Sequence, residues 1–117
     1  MHVYRLEDPE GRGIYRVMMP RTARHRPPPG QDFMSDYTED HYFAFVSLDS
    51  MLQWFDHEGE VESMQKWKVE VSEYDVDADD VIVGEHQCAF IRDKATLVDR
   101  YSYEGVFYAD RTARQVA

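Results

Sequence analysis

Tyr42-Phe43-Ala44-Phe45-Val46-Ser47-Leu48-Asp49-Ser50-Met51-Leu52-Gln53-Trp54-Phe55 changes hydrophobic period at its midpoint. From Tyr42 to Val46 the side chains are aromatic or β-branched apart from one Ala, a short apolar run that predicts one buried strand. Beyond it Leu48, Met51, Leu52 and Phe55 fall at i, i+3, i+4 and i+7, one stripe of an amphipathic helix. Ser47 stands at the junction, where its hydroxyl can accept from a free N–H of the first turn. Asp49 adds negative charge near the positive end of the helix dipole. Gly59 is the expected stop.

Outward from this centre, the chain reads as alternating strands and turns. His2–Glu7 predicts a first strand, with Val3 and Arg5 on one face and Tyr4 and Leu6 on the other. Asp8-Pro9-Glu10-Gly11 is a turn signal with Pro at its second position and Gly at its fourth. Ile14–Met18 predicts a second strand. Residues 20–30 hold four prolines and a glycine between Arg21, Arg24, His25 and Arg26, a composition that predicts a stiff basic loop.

After the central helix, Glu58–Ser63 reads as charged and exposed, and Met64–Trp67 as a helical turn. Trp67, Val69 and Val71 alternate with Lys68, Glu70 and Ser72, the pattern of a half-buried strand. Asp75–Asp80 has the acidity of a calcium loop but lacks the Gly at its sixth position, and no Glu stands at the twelfth, so an acidic turn is expected and no metal. Val81-Ile82-Val83 predicts a short buried run ended by Gly84. Gln87–Ile91 and Ala95–Tyr103 predict a hairpin around Arg92-Asp93-Lys94. Residues 104–117 predict a tail with a strand at Val106-Phe107-Tyr108 and frayed last residues. The whole predicts a single α+β domain over residues 1–117, with a mostly antiparallel sheet and one or two helices.

Composition narrows the function classes. The 117 residues are 43% hydrophobic and 14% aromatic, enough for one packed core, and no apolar run reaches the ~20 residues of a membrane span. No signal peptide is read at the start, and the lone Cys88 rules out an internal disulfide, which fits a reducing cytoplasm. Formal charge is −10 and unevenly spread: residues 35–85 hold fifteen acids against Lys66 and Lys68, a local −13. Affinity for phosphates comes from cationic side chains, so this excess disfavours nucleic acid as a direct partner and suits a basic protein surface. Glu70, Glu73, Asp75, Asp77, Asp79 and Asp80 are the expected contacts, because they cluster on one strand and the turn after it.

Few local motifs carry chemistry. The five histidines show no metal spacing, Gly11-Arg12-Gly13 is too short for a phosphate loop, and Cys88 lies in an apolar run that predicts an inert thiol. What remains is an ordered set: Arg5 on a first strand, Ser47 at the end of a later strand, and Glu85 or Gln87 on another. In this order the chain resembles the arginine, serine, glutamate class of ADP-ribosyltransferases. Val3-Tyr4-Arg5-Leu6-Glu7 with Gly13-Ile14-Tyr15, Phe45-Val46-Ser47-Leu48 with Trp54-Phe55, and Gln87-Cys88-Ala89-Phe90 are similar to segments of small phage and bacterial proteins of that fold.

That resemblance implies a split antiparallel sheet around a nicotinamide cleft, with NAD as cofactor. Arg5 would hold a pyrophosphate or ribose, Ser47 would brace the site, and a carboxylate would stabilise the ribosyl cation. The family's carboxylate position matches Gln87, which is uncharged; Glu85 lies two residues away on the same strand face. In size, acidity and lack of catalytic motifs the chain is also similar to anti-CRISPR inhibitor proteins. This similarity implies a cofactor-free inhibitor that docks on a nucleic-acid-binding defence complex. Of the two expectations, the inhibitor is preferred and the NAD-dependent transferase is the alternative.

Overall fold

The computed structural model describes residues 1–14, 38–55 and 59–116, the side chains of 59–60 and 110–116 excepted. In chain order these form β1 (His2–Glu7), β2 (His41–Ala44), α1 (Leu48–Trp54), α2 (Gly59–Lys66), β3 (Glu70–Asp75), β4 (Val81–Val83), β5 (Cys88–Ile91), β6 (Thr96–Tyr101) and α3 (Tyr103–Val116). The strands make two three-stranded antiparallel sheets, ordered β1-β3-β6 and β2-β5-β4. The sheets meet where Tyr4 and Phe45 exchange two main-chain hydrogen bonds of 2.8 Å each. The α+β expectation therefore holds. All but Ile14 of the expected second strand at 14–18, and the basic loop at 20–30, lie outside the described residues. No helix among the described residues is long and apolar enough to cross a membrane.

The quoted stretch folds largely as its period demands. Ser47 caps α1, its Oγ accepting from the Ser50 amide at 3.1 Å, with Asp49 in the first turn. Met51, Leu52 and Phe55 are buried and Leu48 packs beside them. Phe45 meets Trp54 and Phe55 with ring centroids 6.2 and 5.8 Å apart. The preceding strand is shorter and less buried than its composition suggests. It ends at Ala44, and Tyr42 and Val46 are exposed, because β2 is an outer strand whose side chains alternate between core and solvent. α1 ends at Trp54 with Phe55 as its cap, and Gly59 opens α2 instead of stopping α1.

The first sheet is sandwiched by two cores. One face, with Leu6 and Val71, packs under the helices through Met51, Phe55, Met64 and Tyr103. The other, with Val3 and Tyr74, packs on Ala44, Cys88 and Phe90 of the second sheet. This corrects the reading of β3 as half-buried: as the middle strand, with cores on both faces, it buries Val71, Ser72, Glu73 and Tyr74 in succession. Its alternation fails at the start, too. Trp67 is exposed, and Lys68 takes φ 57° to close α2. The Val69 amide bonds to the Met64 carbonyl at 2.8 Å and the Lys68 amide to the Gln65 carbonyl at 3.2 Å, the double bond pattern of a left-handed helix stop. Residues 59–66 are helix, with Val61 and Met64 turned inward: the helical turn expected at 64–67 is the last turn of a helix that begins in the segment expected to be charged and exposed.

Three further expectations are overturned. β5 and β6 do not pair with each other: β5 lies between β2 and β4, while β6 bonds β3. The hairpin is β4–β5, closed by the Gly84 amide donating to the Gln87 carbonyl at 2.8 Å, and its short Gly-containing loop brings the nearer strand home first. β4 is an outer strand, so Val83 is exposed instead of buried. The tail is helix, not strand. Tyr103, Val106 and Phe107 fall at i, i+3 and i+4 on the first core, and Ser102 caps the turn through the Gly105 amide at 3.3 Å.

Candidate functional site

On the face of the first sheet that meets the second core, register places Arg5, Ser72 and Arg100 in one row, with Glu7 one step along. The Glu7 carboxylate, 1% exposed, accepts from Arg5 Nε at 3.0 Å, from the Tyr74 hydroxyl, and from Arg100 Nη2 at 3.4 Å. Arg5 also donates from Nη1 to the Phe43 carbonyl at 2.8 Å and lies 4.7 Å from the Tyr42 ring centre. Gly13 permits this arrangement, since a Cβ there would stand 2.7 Å from Arg5 Nη2. Arg92 covers the Tyr74 ring at 4.4 Å. Burial pushes the Arg5 guanidinium below its ordinary value, opposed by the charge of Glu7, and burial with the Glu7 hydrogen bond raises the Tyr74 hydroxyl. Sequence reasoning singled out Arg5 but missed Glu7. The signal was available: Arg5 and Glu7 share a strand face, and a buried Arg needs a carboxylate.

The expected transferase residues are spread over different places. Arg5 lines a cavity of about 480 Å³ with Gly11, Arg12, His41 and Tyr42. Glu85 lines another, of about 190 Å³, with Ser50, Gln53, Trp54 and His86. Ser47 and Gln87 line neither. The Ser47 hydroxyl is engaged with Ser50 as a helix cap, and Gln87 is buried beside the β4–β5 turn. Arg5 and Glu85 thus face different cavities. Cys88 is buried, and burial pushes its thiol up to about 12. Among the described residues no group of His, Cys, Asp or Glu is placed to hold a metal ion.

The acidic segment divides into two kinds of residue. Glu70, Asp75, Asp77 and Asp79 are exposed, and Asp77 and Asp79 carry no ion pair among the described residues. Asp75 pairs with the N-terminal ammonium at 3.4 Å, and Asp80 with Lys94 at 3.4 Å. Glu73 lies inward: it accepts from the Tyr101 hydroxyl and is bonded to His2 Nδ1. Ala78–Asp80 forms a single 3-10 turn between β3 and β4, with Asp77 at its N-cap and Asp79 and Asp80 within it.

A family profile described as Bacteriophage T4 Y00F protein matches residues 1–104. The chain belongs to this family. The T4 Y00F match spans both sheets, the Arg5–Glu7 network and the whole acidic segment, and ends at the start of α3. No curated protein and no solved structure matches the chain.

Within this Y00F-family domain, Glu73 and Tyr101 set a pH dependence of opposite sign at the two ends of the scale. Hydrogen bonds from Tyr101 and then His2 hold the Glu73 carboxyl below its ordinary value. Its contribution is present above the unfolded glutamate value and is lost as pH falls through the lower folded one. The bond to Glu73, and then burial, push Tyr101 up to about 12, so its contribution is present below the ordinary tyrosine value and is lost as pH rises towards about 12. Glu73→Gln is therefore expected to be least stable relative to the parent near pH 7, with the gap narrowing on acidification. Thermal melts from pH 3 to pH 7 check this, and a gap that does not depend on pH would contradict it.

Proposed function

We propose that this phage-type protein is a binding module. It docks its acidic middle segment onto the basic surface of a nucleic-acid-handling host protein and inhibits it by occupying the surface that phosphates would use. The observation that carries the reading is the turn after β3, where Asp77 and Asp79 stand exposed and without a cation among the described residues, beside the exposed Asp75. Like charges held together on a turn cost local repulsion, which a basic partner relieves. No cofactor is needed for such an activity. A defence complex of the anti-CRISPR target kind is one protein of this chemistry.

The test is a capture of host proteins on the immobilised chain, followed by association kinetics with the captured partner. Reversing Asp77, Asp79 and Asp80 to Lys should slow association by about tenfold or more, since steering by clustered charge governs on-rates at that scale. Parent association should fall as salt rises, because exposed charges are screened beyond ~10 Å at 0.1 M. The domain should remain folded: the Asp80–Lys94 pair is a surface contact, and none of the three acids is buried. Equal retention of a partner at high salt and by the triple variant would rule out the electrostatic mechanism.

A further inference from the structure

We propose that the cavity between α2, β3 and α3 receives one large apolar side chain of the basic partner, a Leu or Phe flanked by Lys or Arg. The proposal rests on the acidic-docking reading above and names the segment by which the partner is anchored. Val61, Met64, Val69 and Tyr103 line this cavity of about 410 Å³ while each stays at most 5% exposed, which puts them at its floor. All four belong to the first core, so the cavity is an opening into that core from the surface. Gln65, Glu70, Ser102 and Glu104, all exposed, line its mouth. A floor of core side chains under a polar rim is the form of a pocket that takes an apolar group, and ~300–1,000 Å³ is the usual size. The walls are already set. The left-handed Lys68 turns the chain from α2 into β3, and Gln65 Nε2 donates to the Glu104 carboxylate, tying α2 to α3. Filling a cavity with fixed walls costs little ordering.

Charge says what flanks the anchor. Glu70 and Glu104 form no ion pair among the described residues. They outnumber Lys68, the one lining cation among those residues, so the mouth is net negative. A cation next to the anchor meets a carboxylate there, whereas a second copy fits poorly because each chain brings a charge of −10. Glu70 begins β3 and Asp75 ends it, so the cavity and the acidic turn lie at the two ends of one strand, about 17 Å apart at ~3.3 Å per residue. The two ends do different work. Clustered charge on the turn raises the rate of encounter, and a buried apolar anchor slows dissociation. The connection at 67–69 adds Trp67, 48% exposed, a residue type enriched where binding energy concentrates.

The experiment titrates the full-length protein, isotope-labelled at Val and Met methyl groups and at backbone amides, with the peptide Gly-Lys-Arg-Leu-Lys-Gly, blocked at both ends, at low salt. A control peptide has glycine in place of the leucine, and a third ligand is N-acetyl-leucine amide alone. Expected are saturable shifts of the Val61, Met64 and Val69 methyl groups with the first peptide, and an affinity about tenfold or more above that of the control, the effect of burying one Leu side chain. Glu70→Gln/Glu104→Gln should weaken the first peptide by about threefold or more. Both substituted side chains are exposed, and an amide at 104 can still accept from Gln65, so the fold should survive; the amide spectrum of the free variant verifies it. Shifts confined to residues 75–80 and equal for the two peptides would overturn the anchor while leaving acidic docking in place. Cavity shifts with none at residues 75–80 would uphold the anchor and count against docking by the turn. N-acetyl-leucine amide binding as tightly as the peptide, and equally well to the double variant, would assign the cavity to a small apolar ligand and overturn the proposal. Absence of cavity shifts with every ligand would overturn it as well, and the reversal of Asp77, Asp79 and Asp80 would still judge acidic docking by itself.

Discussion

Glu7→Ala is expected to lower unfolding free energy by about 3–5 kcal/mol, the range for removing one partner of a buried ion pair. The Glu7 carboxylate is almost wholly buried and takes hydrogen bonds from Arg5, Tyr74 and Arg100. Without it Arg5, itself nine-tenths buried, keeps its charge but loses the counter-charge beside it, retaining only the carbonyl of Phe43, a long contact to Gly11 and the Tyr42 ring. The Tyr74 hydroxyl would be stranded too. Since a domain of this size is stable by roughly 5–15 kcal/mol, the loss is a large fraction of the whole. Denaturant titration measures it. The double variant Arg5→Met/Glu7→Leu should be less damaged than the sum of its single changes, because it removes the orphaned charge. A Glu7→Ala loss under about 1 kcal/mol would mean that water reaches the site and repays the missing carboxylate.

Phe55→Ala is expected to cost about 3–5 kcal/mol, as large aromatic truncations in a core do. Phe55 has no exposed surface. It packs edge-on against Phe45, and its carbonyl accepts from the buried Tyr103 hydroxyl, so it ties the end of α1 to the junction between the sheets and to the start of α3. The cavity left by truncation cannot collapse easily, because its walls belong to three separate elements. Leu48→Ala, at the partly exposed end of the same stripe, should cost clearly less. Equal losses at the two positions would place α1 with its stripe parallel to the surface, contrary to the packing described here.

Each residue that the sequence made legible did so through a local cause. The change of period at Ser47 announced strand, cap and helix, because capping and helical spacing operate over a few residues. The turn at Asp8–Gly11 was equally plain: the Gly11 amide bonds back to the Asp8 carbonyl at 3.0 Å, and Gly11 takes φ 82°. Residues 59–63 and 103–116 were misread because charged or aromatic side chains hid a sparse helical stripe, only Val61 and Met64 in one helix and Tyr103, Val106 and Phe107 in the other. For the candidate site, Arg5 and the acidic turn were visible as residues. That Glu73 turns inward while Asp75, Asp77 and Asp79 stay out followed from the position of β3.

By itself, then, the amino-acid sequence determined the α+β class, the capped helix after the central strand, the first strand with Arg5, the turn that follows it and the concentration of negative charge in the middle segment. All of these depend on neighbours in the chain or on composition alone. Only the tertiary structure decided that β5 pairs with β4 and β2 while β6 pairs with β3, that β3 lies between two cores, that Arg5 spends its charge on Glu7, and that Arg5 and Glu85 face different cavities. Strand order and side-chain partnership are choices among distant segments with similar local propensities. They are settled by which arrangement buries most apolar surface while leaving each buried charge a partner, a comparison that exists only once the whole chain has packed.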